Sequence, residues 1–226
     1  SSPTLADMRA RLAKKHPQLA WFEWAPVNDD AERAGTEIAF GAPMRPLYDL
    51  AKADIVVSLD ADFLQTHASA VKHARDFASA RRIDKANPKE QTMNRLYVVE
   101  SAVSTTGMTA DERIAVRSAD VAGVAAQIAQ KLGGDAVAGL DAVLSALAAS
   151  ATLGADDPKI LDALVKDLAG ARGRSAVLAG ASQPPAVHAF AALLNQALGN
   201  IGSTVAYVPA GEKGRTCGGD IKALVE

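Results

Sequence analysis

Short apolar runs alternate with stretches of helical periodicity along the whole chain, and this alternation limits the fold more than any other feature of the sequence. The runs are rich in Val and Ile, which is typical of strands covered on both faces. Six predicted strands occupy residues 19–26, 54–59, 95–101, 114–118, 175–180 and 204–209. Strands and helices in this order predict an α/β fold of Rossmann-like parallel sheets with helices on both faces.

The segments between these strands predict helices and one internal boundary. Predicted helices cover residues 4–15, 42–53, 66–82, 119–132, 135–150, 157–171 and 184–199. The glycine-rich stretch "LGGDAVAGLD" predicts a boundary between two α/β lobes, residues 1–134 and 135–226, with one compact unit as the alternative. Because the chain starts without Met and ends inside a predicted helix, we expect it to be a piece of a longer protein.

Composition narrows the classes of function. The formal net charge of −2 argues against a nucleic-acid partner, since such domains carry a strong basic excess. The single cysteine, Cys217, excludes an internal disulfide and any cluster or zinc held by several thiolates of this chain. Since the longest uncharged apolar stretch is shorter than the roughly 20 residues of a spanning helix, we expect a soluble piece.

Carboxylates and hydroxyls follow two successive predicted strands. Asp60 and Asp62 come directly after strand 54–59, and Glu100 ends the next strand, ahead of the stretch 104–107. Ligands of open α/β sheets bind at this carboxyl edge, where Asp60 and Asp62 could share a cation or hold a ribose. Glu100 could hold a ribose hydroxyl, and the hydroxyls of residues 104–106 could bind a phosphate. The alternative for Asp60 and Asp62 is the capping of a turn or helix, and for the stretch 104–107 an ordinary Ser/Thr-capped turn. The residue types leave both interpretations open.

The most glycine-rich segment, "AGEKGRTCGGD" at residues 210–220, carries no nucleotide signature. It has neither the GK[ST] ending of a phosphate loop nor the GxGxxG pattern of a dinucleotide site. We therefore predict a flexible surface loop. The four histidines stand in predicted helices or directly after one, and none has a partner four residues away, so the sequence predicts no catalytic group and no metal ligand.

Several phrases together resemble a known family. The stretches "ADIVVSLDADFL", "ARDFASARR" and "MNRLYVVESAVSTTGMTADERIAVRSADVAGVAAQIA" are similar to the molybdopterin oxidoreductase-like region of the iron–sulfur subunit of alternative complex III. Similar proteins are called Tat-variant-translocated molybdopterin oxidoreductases, or quinol:cytochrome c oxidoreductase iron–sulfur subunits. The opening "SPTLADMRARLAKKHPQLAWFEWAPVNDDAERAG" and the later "SAVLAGASQPPAVHAFAALLNQALGNIGSTVAYV" extend the resemblance over nearly the whole chain.

The resemblance also implies where a cofactor would lie. In catalytic molybdopterin oxidoreductases, the loop after the strand matching 54–59 typically reads Gly-Ser/Ala-Asn and cradles a guanine dinucleotide. This chain has Asp60-Ala61-Asp62 there, and the next strand keeps the acid, Glu100, but not the arginine that follows it. The candidate cofactor-binding residues are Asp60, Asp62, Glu100, Ser104, Thr105, Thr106 and Gly107. We predict that this site is degenerate and empty, because added carboxylates repel a pyrophosphate.

The resemblance therefore implies a cofactor-free structural and docking domain of a respiratory, quinol-oxidising complex. Its expected partners are the cytochrome c and integral membrane subunits, with no direct membrane insertion. Iron–sulfur clusters would be bound elsewhere in the parent chain, which we expect to be exported and membrane-associated on the periplasmic side. The alternative is a domain that still binds molybdopterin guanine dinucleotide or another nucleotide.

Overall fold

The computed structural model describes residues 2–83, 93–133, 143, 153–210 and 216–226. The chain divides into two compact units, one formed by residues 1–28 and 214–226 and the other by residues 29–213. We call them the terminal unit and the central unit. The described helices are α1 (Pro3–Lys15), α2 (Asp30–Phe40), α3 (Ala70–Ser79), α4 (Thr105–Met108), α5 (Val121–Leu132), α6 (Asp157–Gly170), α7 (Pro185–Ala197) and α8 (Cys217–Val225). The described strands are β1 (Met44–Tyr48), β2 (Ile55–Leu59), β3 (Arg95–Glu100), β4 (Glu112–Ala115), β5 (Ser175–Ala179) and β6 (Val205–Pro209).

A parallel sheet organises the central unit. Its strand order is β4-β3-β2-β5, and every neighbouring pair is parallel. The chain moves from β2 to β3 and β4 on one side, and β5 then pairs with the other side of β2. The direction of strand addition therefore reverses between β2 and β5, which is the switch point where open α/β sheets bind ligands.

Both faces of this sheet are buried. Alternate strand residues, such as Val57, Val99 and Val177, join the side chains of α5, α6 and α7 in one apolar cluster. The residues between them, such as Val56 and Leu178, join a second cluster with Phe63 and Phe77. Phe63 lies in the segment after β2, and Phe77 lies in α3. The prediction of an α/β fold with a parallel sheet and helices on both faces is confirmed.

The free edge of β5 is paired by a side chain. The Asn195 amide of α7 donates to the Val177 carbonyl at 2.8 Å, and its oxygen accepts from the Val177 N–H at 3.0 Å. Asn195 is fully buried, so these bonds replace water at the edge of the described sheet. Unpaired buried backbone groups would destabilise the fold.

Residues 19–26 do not form the strand that their aromatic composition predicts. This segment pairs with no strand among the described residues; the Glu23 N–H donates instead to the Asp220 carboxylate at 2.9 Å. The segment belongs to the terminal unit, in which no described residue is buried. An apolar segment forms a strand only when a partner strand is available.

Residues 42–53 were predicted as a helix, and this is wrong. They contain β1, which pairs antiparallel with β6, and then a single 3₁₀ turn over Leu50–Lys52. Pro46 removes one backbone donor and disfavours a helix interior, whereas an edge strand tolerates it. The two-stranded β1–β6 ribbon offers such edges.

The predicted lobe boundary at residue 134 does not separate the two compact units. It falls inside the central unit, and β5, which follows it, pairs with β2, which precedes it. The predicted helix over 135–150 lies outside the described residues except for Val143. In the segment 210–220, residues 211–215 are also outside them, while Cys217 begins α8, with the Thr216 hydroxyl capping it by accepting from Gly219 N–H at 2.9 Å.

The described helices include none with both the length and the apolar character required to cross a bilayer.

Candidate functional site: the crevice at the switch point

The carboxyl ends of β2 and β5 lie side by side. Asp60, the first candidate residue, directly follows β2. Its Oδ2 accepts from Gln183 Nε2 at 2.8 Å, Ser182 Oγ at 3.1 Å and Ser118 Oγ at 3.2 Å. We call these four residues the Asp60 cluster. The Asp60 carboxylate therefore lies in the crevice between the two strand ends.

The backbone at this point is unusually tight. Asp60 has φ 59° and is the one non-glycine with positive φ among the described residues. A Cβ on Gly180 would lie 1.9 Å from the Asp60 carbonyl oxygen. Gly180 is therefore required by the close approach of β5 to the segment after β2.

Asp62 bridges to the loop after β3. Its Oδ1 accepts from the Thr106 hydroxyl at 2.7 Å and from the Thr106 N–H at 3.1 Å. The Thr106 hydroxyl oxygen also accepts from Leu64 N–H at 3.2 Å, and Thr105 hydrogen bonds to the side chain of Gln65. The structure thus brings the two predicted loops together, but through hydrogen bonds between protein groups.

Glu100 is buried at the end of β3, with 3% of its surface exposed. It accepts from Arg113 Nε at 2.7 Å and from the Ser104 hydroxyl at 2.6 Å. Ser104 also caps α4, because its oxygen accepts from the Gly107 N–H at 3.0 Å. A Cβ on Gly107 would lie 1.8 Å from Glu100 Oε1, so Gly107 makes room for the buried acid.

Arg113 was missed by the sequence reasoning. The basic residue expected to follow Glu100 directly is absent, yet β4 supplies a guanidinium to the same carboxylate from 13 residues further on. The register that places Glu100 opposite Ala115 determines this pairing. The only available signal was that a buried acid needs a charged partner.

The residues do not fit a guanine-dinucleotide cradle. Such a cradle needs free backbone N–H groups, but after β2 those of Ala61, Phe63, Leu64 and Gln65 donate to protein oxygens. After β3, the N–H groups of Ser104 and Thr106 donate to Glu100 and Asp62, and that of Gly107 to Ser104. Backbone carbonyls, hydroxyls and two carboxylates of the chain therefore accept from the donors that a phosphate would need.

An open cleft of about 620 Å³ lies beside the crevice, next to the ends of β3 and β4. Its lining includes Ser101, Val116 and Arg117. Arg117 Nε is 2.9 Å from the Asp120 carboxylate, so its charge is balanced within the cleft. Among the described residues, no group of three or more His, Cys, Asp or Glu could hold a metal ion.

Two buried histidines belong to helices that pack on the sheet, His73 to α3 and His188 to α7. His73 of α3 packs against Tyr48, Phe63 and His67, with 4.5 Å between the two imidazole centroids. Burial, and then the charges of His67 and Lys72, lower the pKa of His73 to about 4. Burial also lowers the pKa of His188 to about 4, although hydrogen bonds to the Gly180 and Gln183 backbone oppose the shift.

These histidines predict acid sensitivity. In the unfolded chain an imidazole binds its proton near pH 6.5, but in the fold only near pH 4. The stability they contribute is thus full above pH 6.5 and is lost as the pH falls towards 4. We expect chemical denaturation to show this loss when His73 is present and a smaller loss in His73→Phe, with both proteins carrying Glu32→Gln. Equal losses in both proteins would contradict it.

The contribution of Glu32 of α2 to stability has the opposite pH dependence. Glu32 must therefore be replaced before the effect of the histidines is measured. Burial raises its pKa to about 7 against the effect of Arg45, so its contribution is full below pH 4.5 and is lost as the pH rises through 7. We expect Glu32→Gln to be more stable than wild type at pH 8 but not at pH 4.5. The histidine comparison is therefore made in the Glu32→Gln background.

Comparison with known proteins supports the fold alone. No protein-family model and no curated protein matches the chain. Among solved structures, it is similar to acetylene hydratase from Pelobacter acetylenicus, with a TM-score of 0.54 and 13% identity over 77% of this chain. The match covers 25% of the hydratase, so the chain spans a quarter of that neighbour's length. The hydratase has a molybdopterin-enzyme fold, and the predicted fold class is confirmed.

Proposed function

We propose that the chain is a cofactor-free structural and docking domain, with a molybdopterin oxidoreductase-like fold, of a respiratory quinol-oxidising electron-transfer complex. The observation that carries the cofactor-free part is the Asp60 cluster, in which one carboxylate oxygen accepts three donors at the switch point. A phosphate entering there would meet this negative charge in a partly desolvated crevice, where like charges repel strongly. The resemblance to the iron–sulfur subunit of alternative complex III supports the proposed complex.

The terminal unit supports the docking part. No described residue of it is buried, although it holds both tryptophans of the chain. Exposed apolar surface on this scale is typical of interaction sites. Its exposed large apolar side chains are Leu5, Met8, Leu12, Leu19, Trp21, Phe22, Trp24, Val27, Ile221, Leu224 and Val225. We propose this surface as the docking face for the cytochrome c and integral membrane subunits.

Nucleotide binding tests the cofactor-free part. Isothermal titration of the purified chain with GMP and GDP is expected to give no saturable heat, and a molybdenum assay of the protein as isolated no metal. Micromolar binding that is lost in Asp62→Ala or Glu100→Ala would contradict the proposal. It would favour the alternative, a nucleotide-binding domain of an oxidoreductase.

Co-purification tests the docking part. Trp24 is 61% exposed in the terminal unit and Val71 is 82% exposed on α3 of the central unit. We expect Trp24→Glu to reduce recovery of the cytochrome c and membrane subunits with the tagged chain by about tenfold, a typical loss for one interface aromatic. Val71→Glu adds the same charge elsewhere and is the matched control. Equal recovery with both variants would contradict the proposed face.

A further inference from the structure

We infer that the crevice is a latent oxyanion site, closed by the side chain of Asp60 acting as an internal anion. The inference rests on the proposed function in one respect, that the wild-type crevice takes no external phosphate. Ser118, Ser182 and Gln183 direct their donors at one atom, Asp60 Oδ2, at 2.8 to 3.2 Å. Three donors on a single oxygen also suit an oxygen of a bound phosphate or carboxylate, because an ionised acceptor forms strong hydrogen bonds.

The hydrogen-bond directions are consistent with this assignment. Gln183 Nε2 also donates to Ser118 Oγ at 3.2 Å, so the Ser118 hydroxyl proton is directed to Asp60. The opposite orientation of the Gln183 amide would place two acceptors against each other. Gln183 is 2% exposed, and its bond to Ser118 keeps this donor directed into the crevice when Asp60 is replaced.

The backbone of Asp60 favours the smallest residue. At φ 59° glycine is unstrained, whereas other residues are disfavoured. Asp60→Gly thus removes the carboxylate and relieves the backbone while leaving the three donors. Since Ser118 and Ser182 are exposed at the mouth of the crevice, a small anion from solvent can reach them.

The ligand class follows from the donors. Two hydroxyls and one amide are neutral and carry no base-specific groups, so they recognise the oxygens of a small oxyanion rather than a nucleobase. Inorganic phosphate is the probe. A phosphate monoester shares the same chemistry, and GMP titrated into the same variant distinguishes it from the free ion.

The experiment compares phosphate with chloride at matched ionic strength, by isothermal titration and thermal unfolding. We expect saturable phosphate binding by Asp60→Gly and none by the wild type. Asp60→Asn is the matched control: it tolerates the same φ and keeps the crevice filled, so it is expected not to bind. Adding Ser182→Ala to Asp60→Gly is expected to weaken binding about tenfold, the equivalent of one hydrogen bond to an anion.

Two results would overturn the inference. One is a folded Asp60→Gly protein without saturable phosphate binding. The other is equal phosphate affinity with and without Ser182→Ala, which would place the anion elsewhere. Neither depends on whether wild-type protein binds GMP or GDP, so this test and that of the proposed function fail separately.

Discussion

Arg113→Ala is expected to destabilise the central unit by about 3 kcal/mol, because it leaves the Glu100 carboxylate buried without its counter-ion. Glu100 retains the Ser104 hydroxyl and N–H, but these neutral groups do not balance its charge. The value lies at the low end of the range for buried pairs, since the Arg113 side chain is 25% exposed and water can partly replace it. Urea denaturation at pH 7 measures the loss.

A matched control is the Arg174–Asp54 pair, whose side chains are 61% and 49% exposed. Arg174→Ala is expected to change stability by less than about 1 kcal/mol. The double variant Glu100→Gln/Arg113→Met should recover much of the loss, because it removes both charges and keeps similar volumes. If the two arginine variants lose the same stability, the buried pair has no special role.

Gly180→Ala is expected to destabilise the fold by about 3 kcal/mol, at the upper end of the usual effect of overpacking. The new Cβ would lie 1.9 Å from the Asp60 carbonyl oxygen and 2.6 Å from its carbonyl carbon. Both atoms are backbone, so no rotamer change can relieve the clash. The Gly180 N–H also donates to the Leu59 carbonyl at 2.9 Å, and the ends of β2 and β5 would have to separate.

Gly170 at the end of α6 is the control for this substitution. A Cβ there meets no atom within 4 Å, and alanine is favoured over glycine in helices by about 1 kcal/mol. Gly170→Ala is therefore expected to leave stability unchanged or slightly raised. Thermal unfolding of both variants is sufficient; similar midpoints would show that the strand ends separate without a large loss.

Arg113→Ala and Gly180→Ala both disturb contacts at the carboxyl edge of the sheet. Asp60, Asp62 and Glu100 each accept hydrogen bonds from the loops at the carboxyl edge of the sheet. In a nucleotide-binding sheet, a ligand would take up such donors. Here the three carboxylates connect the loops to one another, and these hydrogen bonds stabilise the carboxyl edge of the sheet.

Local pattern predicted three of the four strands of the described parallel sheet closely, whereas the strand predicted at 114–118 overlaps β4 by only two residues. The predicted strands 54–59, 95–101 and 175–180 correspond to β2, β3 and β5 within one residue at each end. Each is a continuous apolar run, because both of its faces are covered. The segments 19–26 and 42–53 were wrong because a strand exists only through its partner, and the partner of β1 is β6, about 160 residues away.

Some members of the candidate site were predictable from the sequence, but others and the hydrogen bonds between them were not. The order of acids and hydroxyls after β2 and β3 indicated which residues reach the carboxyl edge, and the Ser104 cap follows from its position before α4. Gln183 and Ser118 were not among the predicted residues, because the sequence does not show which side chains meet after different strands. Only the assembled sheet directs both at Asp60.

The sequence by itself determined the α/β class, the buried parallel strands and the acidic character of the carboxyl edge, because these depend on residue type and short-range periodicity. The tertiary structure alone decided the pairing of β1 with β6, the partner of Glu100 and the closure of the crevice by Asp60. The physical reason is that these contacts join residues distant in the chain, and strand order and register bring them together.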